Sequence, residues 1–377
     1  MTELIQKLTE LGQSIWYDNI ERKLLLDGTL AGMISKGEIR GITSNPSIFN
    51  KAISQSEAYD EQIRKLTKQG LSRESVYESL AINDIRTAAD LFRPLYDQTG
   101  GGDGYVSLEV SPNLANDTNL TIREAKRLWD AVERPNLMVK IPATLEGLPA
   151  ITETISAGIN VNVTLIFSLK RYTGVREAYL AGLEKRLAEG NSLKNIASVA
   201  SFFISRIDTK VDQKLEALSE TAGSDDRERI RQLLGKTAVA SGKLAFVDYE
   251  STFADDAPRF GTLISKGANR QRVLWASTST KNPSYPDTKY VEEMIGPLTI
   301  NTIPPKTLEA FLNHGTAQRT IDQNLDSARA VMEDLSRLGI NIDQVTQELE
   351  HEGVQAFADA YTSLLDSLQN RMLDFQA

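Results

Sequence analysis

The chain has 377 residues, 41 % hydrophobic and 25 % charged, with no Cys, two His and a formal net charge of −9 from 42 basic and 51 acidic residues. No Cys means no disulfide, thiolate metal site or thiol nucleophile, and His314 and His351 alone cannot build a multi-histidine metal site, so acid–base work falls to Asp, Glu, Lys and Tyr. The acidic balance speaks against nucleic acid or an anionic membrane as a main partner.

The first sixteen residues, MTELIQKLTELGQSIW, read as a short amphipathic helix running into a strand. They hold no apolar signal core, and no later stretch approaches the roughly 18 apolar residues of a membrane span, which predicts a cytoplasmic location. Strands are predicted at 14–18, 41–44, 105–110, 136–141, 159–166, 197–204, 272–276 and 298–302, with helices between them at 73–97, 118–133, 168–189, 225–247 and 305–314. Strand–helix alternation repeated eight times predicts a parallel sheet closed into a TIM (β/α)8 barrel. Such barrels run past the usual domain length as one unit. The expectation is therefore one domain over 1–377, with the barrel core about 14–314. Helices at about 320–338 and 343–374 form a C-terminal helical extension outside it, free to cover the barrel mouth, dock on its side or meet another subunit. A homo-oligomer is left open.

Three local features read as structure. The GGGDG run at 100–104 precedes a strand, the wrong side for a phosphate cradle, and reads as a flexible turn. SDDRERIRQ at 224–232 reads as a solvated helix start capped by Ser224 or Asp225. NPS recurs at 45–47 and 282–284, too short to argue duplication.

The informative signal is polarity inside strands that a barrel covers on both sides. Such strands should be apolar throughout. In INVNVTLIF, Val161, Val163, Leu165 and Phe167 share one face, while Asn160, Asn162, Thr164 and Ile166 share the other. Asn160 lies deep and reads as structural; Asn162 and Thr164 lie near the carboxyl end, where barrel sites are built. In NLMVKIP, Lys140 points inward at the end of an apolar strand, and Pro142 ends ladder donation. Desolvation would disfavour its charge and leave a neutral amine that attacks carbonyls; equally, Lys140 could pair with a buried carboxylate and hold structure. This strand alone does not separate the two readings. Other strand ends favour chemistry: Asp18 in phase with Trp16 and Ser14, Glu109 in phase with Ser107, Asn45 before Pro46, and Ser201 with Phe203 followed by Arg206. Ser277 and Lys281 follow the 272–276 strand. Arg206 and Lys281 would supply the local positive charge that holds a phosphate.

With these residues in view, GITSNPSIF (41–49), SLEVSPNLANDT (107–118), NLMVKIPAT (136–144), INVNVTLIFS (159–168) and ASVASFFISRID (197–208) resemble the transaldolases. The likeness runs from about Asp18 to about residue 302, and VLWASTSTKNPSYPD (273–287) is similar to the longer bacterial-type branch. The resemblance implies a barrel that needs no metal or organic cofactor. It implies transfer of a dihydroxyacetone unit from sedoheptulose 7-phosphate or fructose 6-phosphate to an aldose phosphate, a step of the pentose phosphate pathway. By position, Lys140 matches the Schiff-base lysine, Asp18 the general acid–base and Glu109 the carboxylate acting through a water that Thr164 helps place. Asn45 and Asn162 match amides that bind hydroxyls of the dihydroxyacetone unit, Ser201 and Phe203 line the pocket, and Arg206 matches a phosphate-binding arginine. Two positions depart from the pattern. Shorter members carry an Arg where this chain reads ASTSTKN, so the second phosphate contact falls to Lys281 with Ser277. Phe202 stands where a Pro often precedes the pocket Phe, and is expected to face the helices. An aldolase releasing free dihydroxyacetone from fructose 6-phosphate fits the same residues, whereas a non-catalytic sugar-phosphate-binding barrel predicts loss of key site residues, and Asp18, Asn45, Glu109, Lys140, Asn162 and Thr164 are all present.

Overall fold

The structure is a computed structural model that describes residues 3–375. Seven parallel strands form one sheet: β1 (Gln13–Tyr17), β2 (Val106–Glu109), β3 (Leu137–Pro142), β4 (Val161–Ile166), β5 (Ser198–Phe203), β6 (Arg272–Ala276) and β7 (Thr299–Ile303). Their spatial order is β1-β7-β6-β5-β4-β3-β2. The two edges, β1 and β2, are joined by residues 40–43, where the sequence predicted a strand over 41–44. That segment is reduced to single bridges from Ile42 to Tyr17 and to Val106. It still closes the ring: Tyr17 N donates to the Gly41 carbonyl and Thr43 N to that of Tyr17, while Ile42 N donates to Tyr105 and Ser107 N to Ile42. The result is a (β/α)8-type barrel with one strand position cut to a bridge. The cause is local. A Cβ on Gly41 would lie 2.6 Å from the Trp16 indole, so the backbone rests on that ring, and after the Asn45 cap the chain turns into a helix at Pro46.

Interior positions come from alternate residues, as the pleat requires. A polar belt crosses the middle layer: Asn162 Nδ2 donates to Ser107 Oγ (3.0 Å), and Ser201 Oγ donates to Asn162 Oδ1 (2.7 Å). Asn160 is structural as expected, donating to the Pro135 and Leu137 carbonyls and accepting from Ala197 N. The amino-end floor is ionic. Asp103, from the glycine-rich turn, accepts from Ser14 Oγ (2.7 Å), Arg40 Nε (2.7 Å) and Trp16 Nε1 (3.1 Å), and lies 3.4 Å from Arg272 Nη1. The turn expected to be flexible is thus the arm that delivers a buried anion to the barrel floor.

The β4 alternation fails after Val163. The register with β5 shifts between Val163 and Ile166, and Leu165 adopts φ 59°. Ile166 pairs with Phe202, whose ring meets Tyr172 of the helix layer, so Ile166 shares that outward side rather than the interior. Phe167 turns the other way and packs on Phe203, with ring centroids 5.1 Å apart. Two helix readings also change. The 225–247 stretch is two helices, Ser224–Leu233 and Thr237–Thr252, broken at Gly235 with φ 68°. Ser224 and Asp225 lie inside the first turn, with Gly223 at the cap and no side-chain capping bond. The helix read from 320 begins at Leu325 and ends at Arg337.

The last helix, Ile342–Asp374, crosses the barrel mouth. A Cβ on Gly353 would lie 3.0 Å from Leu165 Cδ2, which fixes how closely the helix approaches the end of β4. Arg171 holds Glu350 through two bonds (2.8 and 3.0 Å), Asn50 donates to Ser363, and Arg371 reaches the Ser56 carbonyl. No helix among the described residues is long and apolar enough to cross a membrane.

Asp103→Ala should leave Arg40 and Arg272 without their buried counter-charge. The expected cost is about 3 kcal/mol, seen as an earlier urea midpoint. An unchanged midpoint would mean that the floor does not depend on this anion.

Candidate active site

Inward residues of three neighbouring strands lie side by side below the carboxyl face. Glu109 ends β2 in register with Lys140 of β3, and Lys140 is in register with Asn162 of β4. Lys140 Nζ lies 3.2 Å from Glu109 Oε2 and donates to the Ser44 carbonyl, also at 3.2 Å. The two side chains are only 6 % and 4 % exposed. The carboxylate partner that a structural lysine would need is therefore present. Two buried oxygens nearby keep no hydrogen-bond partner among the described residues, Glu109 Oε1 and Thr164 Oγ1. Burial pushes the Glu109 carboxyl above its ordinary range, opposed by the charge of Lys140.

Asp18 follows β1 and faces the same space. It accepts from Thr43 Oγ1 at 2.7 Å, and Thr43 lies 2.6 Å from Thr302 Oγ1. Thr43 has one hydroxyl proton, so with that proton on Asp18 the Thr302 hydroxyl donates to Thr43. Burial raises the Asp18 pKa; the Thr43 bond and the charges of Lys140, Lys281 and Arg206 pull against it.

Lys140, Asp18, Asn45, Thr164, Ser201, Phe203, Arg206, Ser277 and Lys281 all line one chamber of about 150 Å³. Asn45 also caps the helix Pro46–Gln55, its Oδ1 accepting from Ile48 N. That cap fixes the side chain and leaves its amide nitrogen to donate. Asn162 is fully buried in the belt below, both ends engaged by Ser107 and Ser201. Glu109 stands behind Lys140 and lines a separate lateral cavity. The strand alternation contained enough to find Thr302, an inward residue at the end of β7. Phe357 carries no such signal. It comes from the C-terminal helix, its ring lies 5.4 Å from Lys140 Nζ, and it is nearly fully buried over the chamber.

The chamber opens to an outer vestibule of about 680 Å³, and Asp18, Asn45, Arg206, Lys281 and Phe357 line both. Arg206 lies over the Phe203 ring at 5.5 Å and has no carboxylate at ion-pairing distance among the described residues. Burial lowers the pKa of Arg206; burial and the Arg206 charge lower that of Lys281. Two cations that lose hydration beside one another form a place for a divalent anion. Lys281 donates to Ser279 Oγ (2.6 Å), and Ser277, at φ 54°, sets its hydroxyl 3.1 Å from Ser205 Oγ at the start of the helix that carries Arg206.

A family model described as Transaldolase/Fructose-6-phosphate aldolase matches residues 15–368. The chain belongs to this family. It is 46 % identical over 375 residues to a protein named Transaldolase from Trichodesmium erythraeum, covering 99 % of this chain and 98 % of that one. It is 47 % identical over 369 residues to a Transaldolase from Saccharopolyspora erythraea, covering 98 % and 97 %. A protein named Transaldolase 2 from Streptomyces coelicolor is 47 % identical over 370 residues, again covering 98 % and 97 %. These likenesses take in the C-terminal helix as well as the barrel.

Thr43→Val would remove a hydrogen bond that favours the ionised form of Asp18. The Asp18 carboxyl should then titrate higher still in a carbon-13 NMR titration. A carboxyl that titrates as in the unmodified chain would mean that the Thr43 contact does not tune it.

Proposed function

We propose that this chain is a transaldolase that carries a dihydroxyacetone unit on Lys140, between a ketose phosphate and an aldose phosphate. The observation that supports it most is the set of Lys140, Glu109 and Asp18: one amine with a carboxylate at its back and a second, separately held carboxylate across the chamber. The amine of Lys140 attacks the ketose C2 carbonyl. Glu109 passes protons while the carbinolamine loses water, working through a water that its free oxygen and the free Thr164 hydroxyl can hold. The resulting protonated imine is an electron sink. Asp18 takes the proton of the C4 hydroxyl, the C3–C4 bond breaks, and the aldose leaves. The enamine stays on Lys140 until it adds to the acceptor aldehyde, with Asp18 now the acid.

Asn45 donates to a hydroxyl of the held unit. Asn162 acts from the belt beneath the chamber, by fixing Ser201. Arg206 and Lys281, with Ser277, hold the phosphate at the chamber throat. Phe203 and Phe357 keep the enamine dry, which favours transfer over hydrolytic release. The reaction belongs to the pentose phosphate pathway, runs without metal or organic cofactor, and takes place in the cytoplasm.

Sign matters for pH. Asp18 works first as a base, so activity should rise as pH passes through its raised pKa, placing the acid limb above the ordinary Asp range.

A coupled assay should show fructose 6-phosphate consumed with erythrose 4-phosphate present and little without it. Release of free dihydroxyacetone as the main activity would instead make the chain an aldolase. In the same assay Arg206→Ala should raise the KM for fructose 6-phosphate about ten- to a hundredfold with kcat little changed. An unchanged KM would remove Arg206 from the phosphate site.

A further inference from the structure

The lateral cavity lined by Glu109 is separate from the sugar chamber and shares only Asn45 with it. Its volume is about 140 Å³, enough for several waters. It lies outside the barrel wall, between β2 and the helices Pro46–Gln55, Arg73–Gln98 and Thr118–Val132, with Tyr361 of the C-terminal helix closing one side. Its inner end is Glu109 together with Ser44 and Asn45; its outer rim carries Glu74, Glu78 and Glu124. The partition between this cavity and the chamber is the Lys140–Glu109 pair, with the Ser44 carbonyl on Lys140. Glu109 lines the lateral cavity and meets the chamber through its contact with Lys140. It gives one oxygen to Lys140, and its other oxygen, Oε1, is buried without a partner among the described residues. A buried carboxylate oxygen at the blind end of a water-sized cavity calls for a hydrogen-bond donor, and water is the one such a space admits.

We propose that the lateral cavity is the water route of the reaction, separate from the mouth through which the sugar phosphate enters. This rests on the Schiff-base reading of Lys140. The chemistry requires such a route. Forming the imine breaks the C2–O bond; the oxygen takes a proton by way of Glu109 and leaves as water. Releasing the product reverses this: one water gives a proton to Glu109 and its oxygen to C2, and the amine is expelled. Each cycle thus moves one water out and one in at C2. At those moments the mouth is filled by the sugar, under Phe357 and between Arg206 and Lys281. A wall of apolar side chains such as Phe49, Tyr77, Leu108 and Leu128 lets water pass without holding it, and keeps it behind Lys140, away from the enamine carbon.

Oxygen-18 exchange tests this. Fructose 6-phosphate alone is incubated with the enzyme in oxygen-18 water, and exchange at its ketone oxygen is followed by mass spectrometry above the enzyme-free rate. Transfer to erythrose 4-phosphate is measured in parallel. Ala81→Leu and Ile82→Phe each push bulk into the cavity from the Arg73–Gln98 helix. Water expelled into a blocked route returns to the imine, so exchange should drop while transfer persists, and the exchange-to-transfer ratio should fall about tenfold. Leu128→Ala widens the same cavity and should keep the ratio at or above that of the unmodified enzyme. Two blocking variants, both checked for a normal melting transition, guard against one failing to fold. A normal ratio in the folded blocking variants, or an equal fall in Leu128→Ala, would overturn the route. Exchange that persists in Lys140→Met would overturn the Schiff-base reading itself, which is a different result.

Discussion

Everything at the carboxyl end of this barrel is arranged around one buried amine. Lys140 Nζ sits between the Glu109 carboxylate and the Ser44 carbonyl, and both members of the ion pair are almost wholly withdrawn from water. Taking two charges out of water costs several kcal/mol each before their attraction is counted. Such a pair is poor evidence of stability and better evidence of use. The barrel accommodates it by geometry: Glu109 and Lys140 are register partners on adjacent strands, so their side chains meet without a loop to position them. The second carboxylate, Asp18, is kept apart from the first and given its own partner in Thr43, so the two acids occupy different environments.

The same arrangement settles where the charges of the chain must lie. A protein of net charge −9 that takes sugar phosphates has to reverse its sign locally. The cations that would do so are at the throat between chamber and vestibule, where Arg206 and Lys281 are partly desolvated and the Arg206 charge disfavours the charged form of Lys281. The C-terminal helix completes the enclosure. Its aromatic ring, Phe357, sits over Lys140, and ion pairs at Glu350 and near Arg371 tie it to opposite sides of the mouth. Of the placements open from the sequence, it takes the one over the mouth.

Much of this was legible in the sequence because barrel strands are read against a strict background. An interior that should be apolar makes Lys140, Glu109, Asp18, Thr164 and Ser201 conspicuous, and period-two alternation gives their direction. The reading failed where local backbone geometry departs from that period. The bulge at Leu165 sends Ile166 outward and Phe167 onto Phe203. Contact with Trp16 trims the 41–44 strand to a bridge. Gly235 breaks a helix whose periodicity runs on. Asp103 and Phe357 were not visible as functional or structural anchors, since their partners lie 63 and 89 residues away in one case, and more than two hundred in the other. Amphipathic pattern tells that a helix packs, not what it packs over.

The central claim is that Lys140 forms a covalent imine with the ketose. Borohydride reduction of the enzyme in the presence of fructose 6-phosphate, followed by peptide mass spectrometry, tests it directly. An imine at this position gives a reduced dihydroxyacetone adduct on Lys140 that disappears in Lys140→Ala. An unmodified Lys140, or an adduct on another lysine, would contradict it.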